Sequence, residues 1–313
     1  MTLRRGWVAG AEKSDSVTIR IHQPRVRRET LGLVFGFIGV VIFAATLPFS
    51  RLAVPDLGPW FITFGRAALA GLIALVVLRV LKRKLPTPGQ LWRISLAALC
   101  LVIGFPIFSS LAVKTIPSSH GGVVLGILPL ATSLLSAAFY GERPSAGFWI
   151  CGGLGATVVV AFALRQGGGA VTPGDVYLLA AIAAAAIGYT ISAKLSTVMP
   201  GWEVISWCVV LSLPLTIPAS FITLPENLHT IAPSSWMAFA YLGIMSMYVG
   251  FFAWNTGLAM GGTARVSQVQ LLQSFFTLAF ASLINGETIG WETLLFAGLV
   301  LVIVFLGRLF RAR

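Results

Sequence analysis

Ten long apolar runs separated by short polar breaks set the pattern of this chain. They predict helices over approximately Leu31–Ser50, Gly58–Leu81, Gln90–Val113, Ser118–Tyr140, Ala146–Leu164, Gly174–Lys194, Trp202–Ile222, Ser235–Thr256, Thr263–Asn285 and Ile289–Gly307. An apolar stretch of about 18 residues or more with few charges is long enough to cross a bilayer as a helix. The runs do not alternate with period two, which sets a membrane β-barrel aside. The breaks are made of turn formers, among them Pro55, Pro86, Pro88, Pro117, Pro144, Gly167-Gly168-Gly169, Pro200-Gly201, Pro225, Pro233 and Gly261-Gly262. One pattern occurs once in each half: a long span, a Gly-Glu pair, then a second span. The two copies are Gly141-Glu142-Arg143 and Gly286-Glu287-Thr288.

Composition agrees with the pattern. Of 313 residues, 57% are hydrophobic and only 10% charged, with a mean hydropathy of +0.90. A soluble domain carries about 25% charged residues. The predicted fold class is therefore all-α: a polytopic membrane protein of ten transmembrane helices, built from two inverted five-helix repeats. The predicted units are a basic tail over 1–30, a first repeat over 31–166 and a second over 172–310. Five spans per unit is an odd number, so the second unit must sit upside down relative to the first. That layout is common in secondary transporters, with the substrate site at the midplane between repeats.

Charge fixes the orientation. Of the 22 Lys and Arg residues, all but four lie on the side of the two termini; Arg51, Lys114 and Arg165 lie opposite, and Arg66 falls inside the second span. Cytoplasmic loops carry the Lys and Arg excess, so both termini are expected in the cytoplasm. The net charge of +12 is thereby explained by topology, and nucleic acid is not expected as a partner. The first span is expected to act as the targeting signal, because no short apolar core with a small-residue cleavage site precedes it. Cys100, Cys151 and Cys208 sit inside apolar runs and read as free thiols. No metal set and no cofactor are expected.

The candidate chemistry lies in a few polar positions. Glu142 and Glu287, each after a Gly at a helix end, read as caps or topology markers. Asp56, Asp175, Glu203, Glu226 and Glu292 also fall at span ends or in loops. No carboxylate is expected at mid-membrane, which favours neutral or zwitterionic substrates with little proton coupling. Span 8 carries Tyr241, Met245, Tyr248, Phe252 and Asn255 at spacings of three and four, one helical face. Span 9 carries Gln268, Gln270 and Gln273, then Ser274 and Thr277. Tyr248, Phe252, Asn255, Gln270 and Gln273 are expected to line a central cavity, with interhelical hydrogen bonding as the alternative. His120, at the outer start of span 4, is expected as a gate or carboxylate contact. Arg265 reads as part of the positive-inside bias, and Arg66 as able to snorkel outward. Small residues in spans 4 and 6, such as Gly122, Gly126, Ala181 and Gly188, read as close-packing positions. Pro48, Pro106, Pro129 and Pro214 are expected to kink their spans.

At the Gly-Glu segments the chain resembles the drug/metabolite transporter superfamily, in its EamA-type members with two five-span repeats. Leu128-Pro129-Leu130 through Gly141-Glu142-Arg143 to Gly152-Gly153 is similar to that family's fourth and fifth spans. Phe43-Ala44-Ala45 through Pro59 to Arg66-Ala67-Ala68-Leu69-Ala70 is similar to its first and second. The second copy departs from the first: Ser274 stands where the first has Pro129, and Trp207 where the first has Arg66. The resemblance runs from about residue 31 to 310 and is nearest to the amino-acid exporter branch, of which the YddG-type exporters of aromatic amino acids are members. It implies a bacterial inner-membrane exporter, whose partners are a small-molecule substrate such as an amino acid and the lipid bilayer. A nucleotide-sugar carrier of the same fold would need several cavity cations. An intramembrane enzyme would need a catalytic set that the spans lack, and a scaffold or receptor would leave the repeats unexplained.

Overall fold

The computed structural model describes residues 25–140, 145–261 and 266–310. Gly141-Glu142-Arg143 and Arg265 lie outside these residues, and of the Gln268 side chain nothing is described. Eight helices are long and apolar enough to cross a membrane: α1 (Glu29–Leu57), α2 (Pro59–Val80), α3 (Pro88–Thr115), α4 (Ser118–Leu135), α5 (Ala146–Gln166), α6 (Pro173–Leu195), α7 (Gly201–Ile222) and α8 (Pro233–Met260). Two shorter apolar helices follow, α9 (Val269–Asn285) and α10 (Trp291–Gly307). The chain is thus an all-helical polytopic membrane protein.

Local sequence sets the helix ends. Pro59, Pro88, Pro173 and Pro233 occupy the first turns of α2, α3, α6 and α8, where a missing N–H costs nothing. Thr87 with Gln90, and Thr172 with Asp175, close reciprocal capping boxes before α3 and α6. Gly286 ends α9 in a left-handed conformation, with φ at 65°. Its N–H bonds Ser282 O, and the next N–H, from Glu287, bonds Ala281 O. This is the usual glycine stop of a helix, and it explains half of the Gly-Glu pair.

The most extensive packings are α1 on α8, α2 on α7, α3 on α6 and α5 on α10. Each joins a helix of the first half to one of the second. Exchanging the halves turns α1 on α8 into α6 on α3 and leaves the other two pairs as they are, the signature of a two-fold relation. Lipid removes the hydrophobic drive for helix association, so close approach and polar bonds must supply it. A Cβ on Gly257 would lie 2.5 Å from the Gly36 backbone, so α1 and α8 cross backbone to backbone. A Cβ on Gly188 would lie 2.4 Å from Leu101, so α6 presses directly onto α3. Large apolar side chains such as Trp60, Val76, Phe221 and Leu283 stay on the outer surface.

Four helices depart from α-geometry, at matching places in the two halves. α3 widens to a π-helix at Leu99–Gly104 and α8 at Tyr241–Val249. α4 tightens to a 3₁₀ turn at Leu125–Ile127 and α9 at Ser267–Leu272. In the first half proline accounts for both. Pro106 and Pro129 cannot donate to the carbonyls of Val102 and Leu125, so the regular ladder breaks there. The second half has no proline at these places, and we have no local account of its distortions. In α1 the helix breaks at Ala45. Pro48 leaves the Ala44 carbonyl free, and Thr277 Oγ1 donates to it from α9 at 3.0 Å. By contrast, α7 runs unbroken from Gly201 to Ile222 with Pro214 and Pro218 inside it.

Candidate functional site

All four distorted segments meet one central cavity. It encloses about 910 Å³ of empty space, part of it open to solvent. Leu101 comes from the π turn of α3, and Ser246 and Met247 from that of α8. Leu125 and Gly126 come from the tight turn of α4, and Gln270 and Leu271 from that of α9. Irregular helical turns free backbone groups and re-aim side chains, which is why they gather at functional sites. Aromatic wall is supplied by Phe43, Phe105, Tyr189 and Phe251. The polar lining is Thr46, Arg66, Ser246, Gln270, Gln273, Ser274 and Thr277, and no carboxylate is among the described lining residues. Thr46 Oγ1 and Ser246 Oγ are 2.8 Å apart, a bond between the halves inside the site.

The structure brings Gln270 and Gln273 to this cavity and takes the other expected residues elsewhere. Tyr248 is 5% exposed and packs toward α7, its hydroxyl 3.0 Å from Ser206 Oγ. Phe252 is 37% exposed and lies 5.4 Å from the Trp202 ring. Asn255 donates from Nδ2 to Gly201 O at 2.9 Å, tying α8 to the first residue of α7. The reason is the π segment. Bonding from i to i+5 adds about one residue per turn, so a face extrapolated at 3.6 residues drifts off line. Ser246, Met247 and Phe251 take the cavity positions instead. Tyr241 likewise turns away and donates to the Ile42 carbonyl of α1 at 2.8 Å.

His120 is also absent from the cavity. Its Nε2 is 2.6 Å from Asp175 Oδ1, and its ring lies 4.8 Å from that of Phe162. Asp175 is the residue that closes the capping box of α6, so His120 joins α4 of one half to α6 of the other. Arg66 corrects the expectation of snorkelling. It is 2% exposed, lines the cavity, and its Nε and Nη1 have no hydrogen-bond partner among the described residues. The sequence signal was the charge itself, since an ionisable residue within a span is a functional candidate by default.

Polar ties between the halves gather at the end of the bundle away from the termini. Glu287 Oε1 accepts from Ser118 N at 2.8 Å and Ser118 Oγ at 2.7 Å, and Oε2 from Ser119 N at 2.8 Å. The second half of the Gly-Glu pair thus caps a helix of the other repeat. Burial works against the Glu287 carboxylate, yet the bonds from Ser119 and Ser118 hold its pKa below the ordinary value. Arg51 lies beside it, with Nε 3.4 Å from Oε1, and donates from Nη1 to the carbonyls of Val113 and Ile116 at the end of α3. Asp56 Oδ2 accepts from Ser235 Oγ at 2.7 Å, and Arg165 pairs with Glu292 at 2.6 Å. At the opposite end Arg83 and Glu203 approach to 3.7 Å.

With this geometry in hand, known proteins give a consistent match. The sequence profile of the EamA-like transporter family matches residues 30–164 and again 172–308. The chain is 44% identical over 266 residues to the uncharacterized transporter YdeK of Bacillus subtilis (strain 168), across 85% of this chain and 93% of that one. It is 28% identical over 235 residues to the aromatic amino acid exporter YddG of Ancylobacter novellus, across 73% of this chain and 79% of that one. A solved crystal structure superposes with a TM-score of 0.61 at 20% identity, covering 88% of this chain and 94% of the other; it speaks for the fold alone.

Proposed function

Because the chain belongs to the EamA-like transporter family, we propose that it exports small metabolites, most of all aromatic or other neutral amino acids. In this reading the cavity opens alternately to the two sides of a bacterial inner membrane, with both termini in the cytoplasm. The units that move are the two halves, 31–166 and 172–310. The observation that carries it is the convergence of four irregular helical turns, two from each half, on one aromatic and amide-lined cavity. A relative named as an aromatic amino acid exporter supports the substrate class. Among the described lining residues Arg66 supplies the one guanidinium, which argues against substrates with several phosphates.

In this reading the Glu287, His120 and Asp56 ties hold the two halves together at the periplasmic end. Transport is facilitative in this reading, since among the described lining residues no carboxylate stands ready to exchange a proton for cargo. Counterflow in proteoliposomes with amino acids, nucleosides and sugars tests this reading. Exchange of aromatic or aliphatic amino acids, insensitive to an uncoupler, is the expected result. Exchange of sugars or nucleosides alone would refute the substrate class, and accumulation abolished by an uncoupler would refute facilitation.

A further inference from the structure

We propose that Arg66 is the anchor for a carboxylate on the transported molecule, and that this carboxylate, not an ammonium group, is what the cavity requires of its ligand. The inference rests on the transport reading for its meaning but not for its test. Arg66 stands about two turns into α2, deep in the bundle, and is 2% exposed. A guanidinium carries five donors and stays charged. Here two of its nitrogens are sealed from solvent with no acceptor among the described residues. Buried charges are ordinarily paired, because removing a charge from water is costly. Among the described residues, five carboxylates are engaged elsewhere: Asp56 with Ser235, Asp175 with His120, Glu203 with Arg83, Glu287 with Ser118, and Glu292 with Arg165.

The cavity is where a partner can reach Arg66, and its chemistry is one-sided. Thr46, Ser246, Gln270 and Gln273 are neutral, and among the described lining residues there is no acid to hold an ammonium group. An arriving carboxylate would give the guanidinium its missing acceptor, while an amine would meet only like charge and neutral dipoles. Bonds to charged groups are the strong ones. A ligand with a carboxylate and no amine should therefore bind about as well as the matching amino acid, and one with an amine and no carboxylate should not bind.

The test uses the purified full-length protein in detergent and thermal-shift titration. Phenylalanine and leucine are compared with 3-phenylpropanoate and 4-methylpentanoate, which lack the amine, and with phenethylamine and isopentylamine, which lack the carboxylate. Wild type should be stabilised by the first four compounds and not by the two amines. Arg66→Gln should weaken the carboxylates by about tenfold or more, and Arg66→Lys by less. The inference is overturned if the amines bind as tightly as the carboxylates, if Arg66→Gln keeps wild-type affinity, or if none of the four carboxylates shifts the melting temperature. The ligand comparison on wild type alone decides the matter if the variants do not fold. Counterflow of the same compounds in liposomes is read separately. Carboxylates that bind through Arg66 but do not cross would sink the transport reading and leave this inference standing.

Discussion

Replacing Glu287 by Gln should loosen the periplasmic end of the bundle by an amount that the geometry bounds. The carboxylate accepts three hydrogen bonds, two on Oε1 and one on Oε2, from donors at the first turn of α4. Gln has one acceptor oxygen, so Glu287→Gln strands one donor against an NH₂ group. An unsatisfied buried donor costs about 1–3 kcal/mol. The Arg51 contact adds little: Arg51 is about one-third exposed, and such pairs are worth roughly 0–1 kcal/mol. A total near 2 kcal/mol would shift a closed-to-open equilibrium by about thirtyfold. The assay is labelling of a Thr46→Cys cavity residue by a membrane-impermeant thiol reagent from outside, in a background lacking Cys100, Cys151 and Cys208. Glu287→Gln should speed labelling by about tenfold or more. The pH dependence follows from the lowered pKa of Glu287. A carboxyl whose folded pKa is depressed contributes stability that is present above its unfolded value, about 4.3, and is lost as pH falls through the folded value. The wild-type advantage over Glu287→Gln should be constant near neutrality and shrink in acid. Equal labelling rates in the two proteins, or an advantage unchanged into acid, would refute the cap.

Three further outcomes are expected. Gln273→Leu, close in volume and inside the cavity, should leave expression intact and cut amino-acid counterflow by about tenfold, the loss of one bond to a charged group; full transport would remove Gln273 from the site. Tyr248→Phe should cost only about 0.6 kcal/mol through its Ser206 bond and leave transport near wild type. Collapse of transport in that variant, with normal folding, would show that the hydroxyl meets the cargo after all. A single cysteine at Gly168 should react with an impermeant reagent from outside the cell and one at Lys84 should not; the reverse would overturn the orientation drawn from the charge bias.

The fold was legible because bilayer physics is strict about length and polarity. Each run that predicts a span corresponds to an apolar helix, and among the described residues most Pro and Gly breaks fall where helices end, whereas Pro55 lies inside α1, which runs on to Leu57. Glu287 was legible as a cap, since a carboxylate after a helix-stopping Gly has little else to do. What it caps was not legible, because Ser118 is 169 residues away in sequence and reaches it through the relation between halves. His120 shows the same limit. As the one His in a span it invited a role at the cavity mouth. Its partner is Asp175, which the sequence shows only as a carboxylate at a span end. Arg66 stands out in the sequence as a charge within a span, and its distance from the helix end permits an outward reach. Burial by the surrounding helices decided otherwise.

The stripe on α8 failed for a reason that the first half of the chain already contains. Pro106 and Pro129 mark where α3 and α4 leave regular geometry, and both distortions reach the cavity. α8 and α9 carry the same distortions at the same places without any proline. Read alone, the second half looks like regular helix, and counting by threes and fours puts Tyr248, Phe252 and Asn255 together on an inner face. Two halves that pack as mirror roles must nevertheless present matching backbones to each other: α3 rests on α6 as α8 rests on α1. The distortion that proline marks in one half thus recurs in the other at the same place in the packing. A repeat protein of this kind is better read by finding irregularities in whichever half signals them and transferring them to its mate. That transfer places the irregular turn of α8 within Tyr241–Val249, the stretch whose Ser246 and Met247 line the cavity.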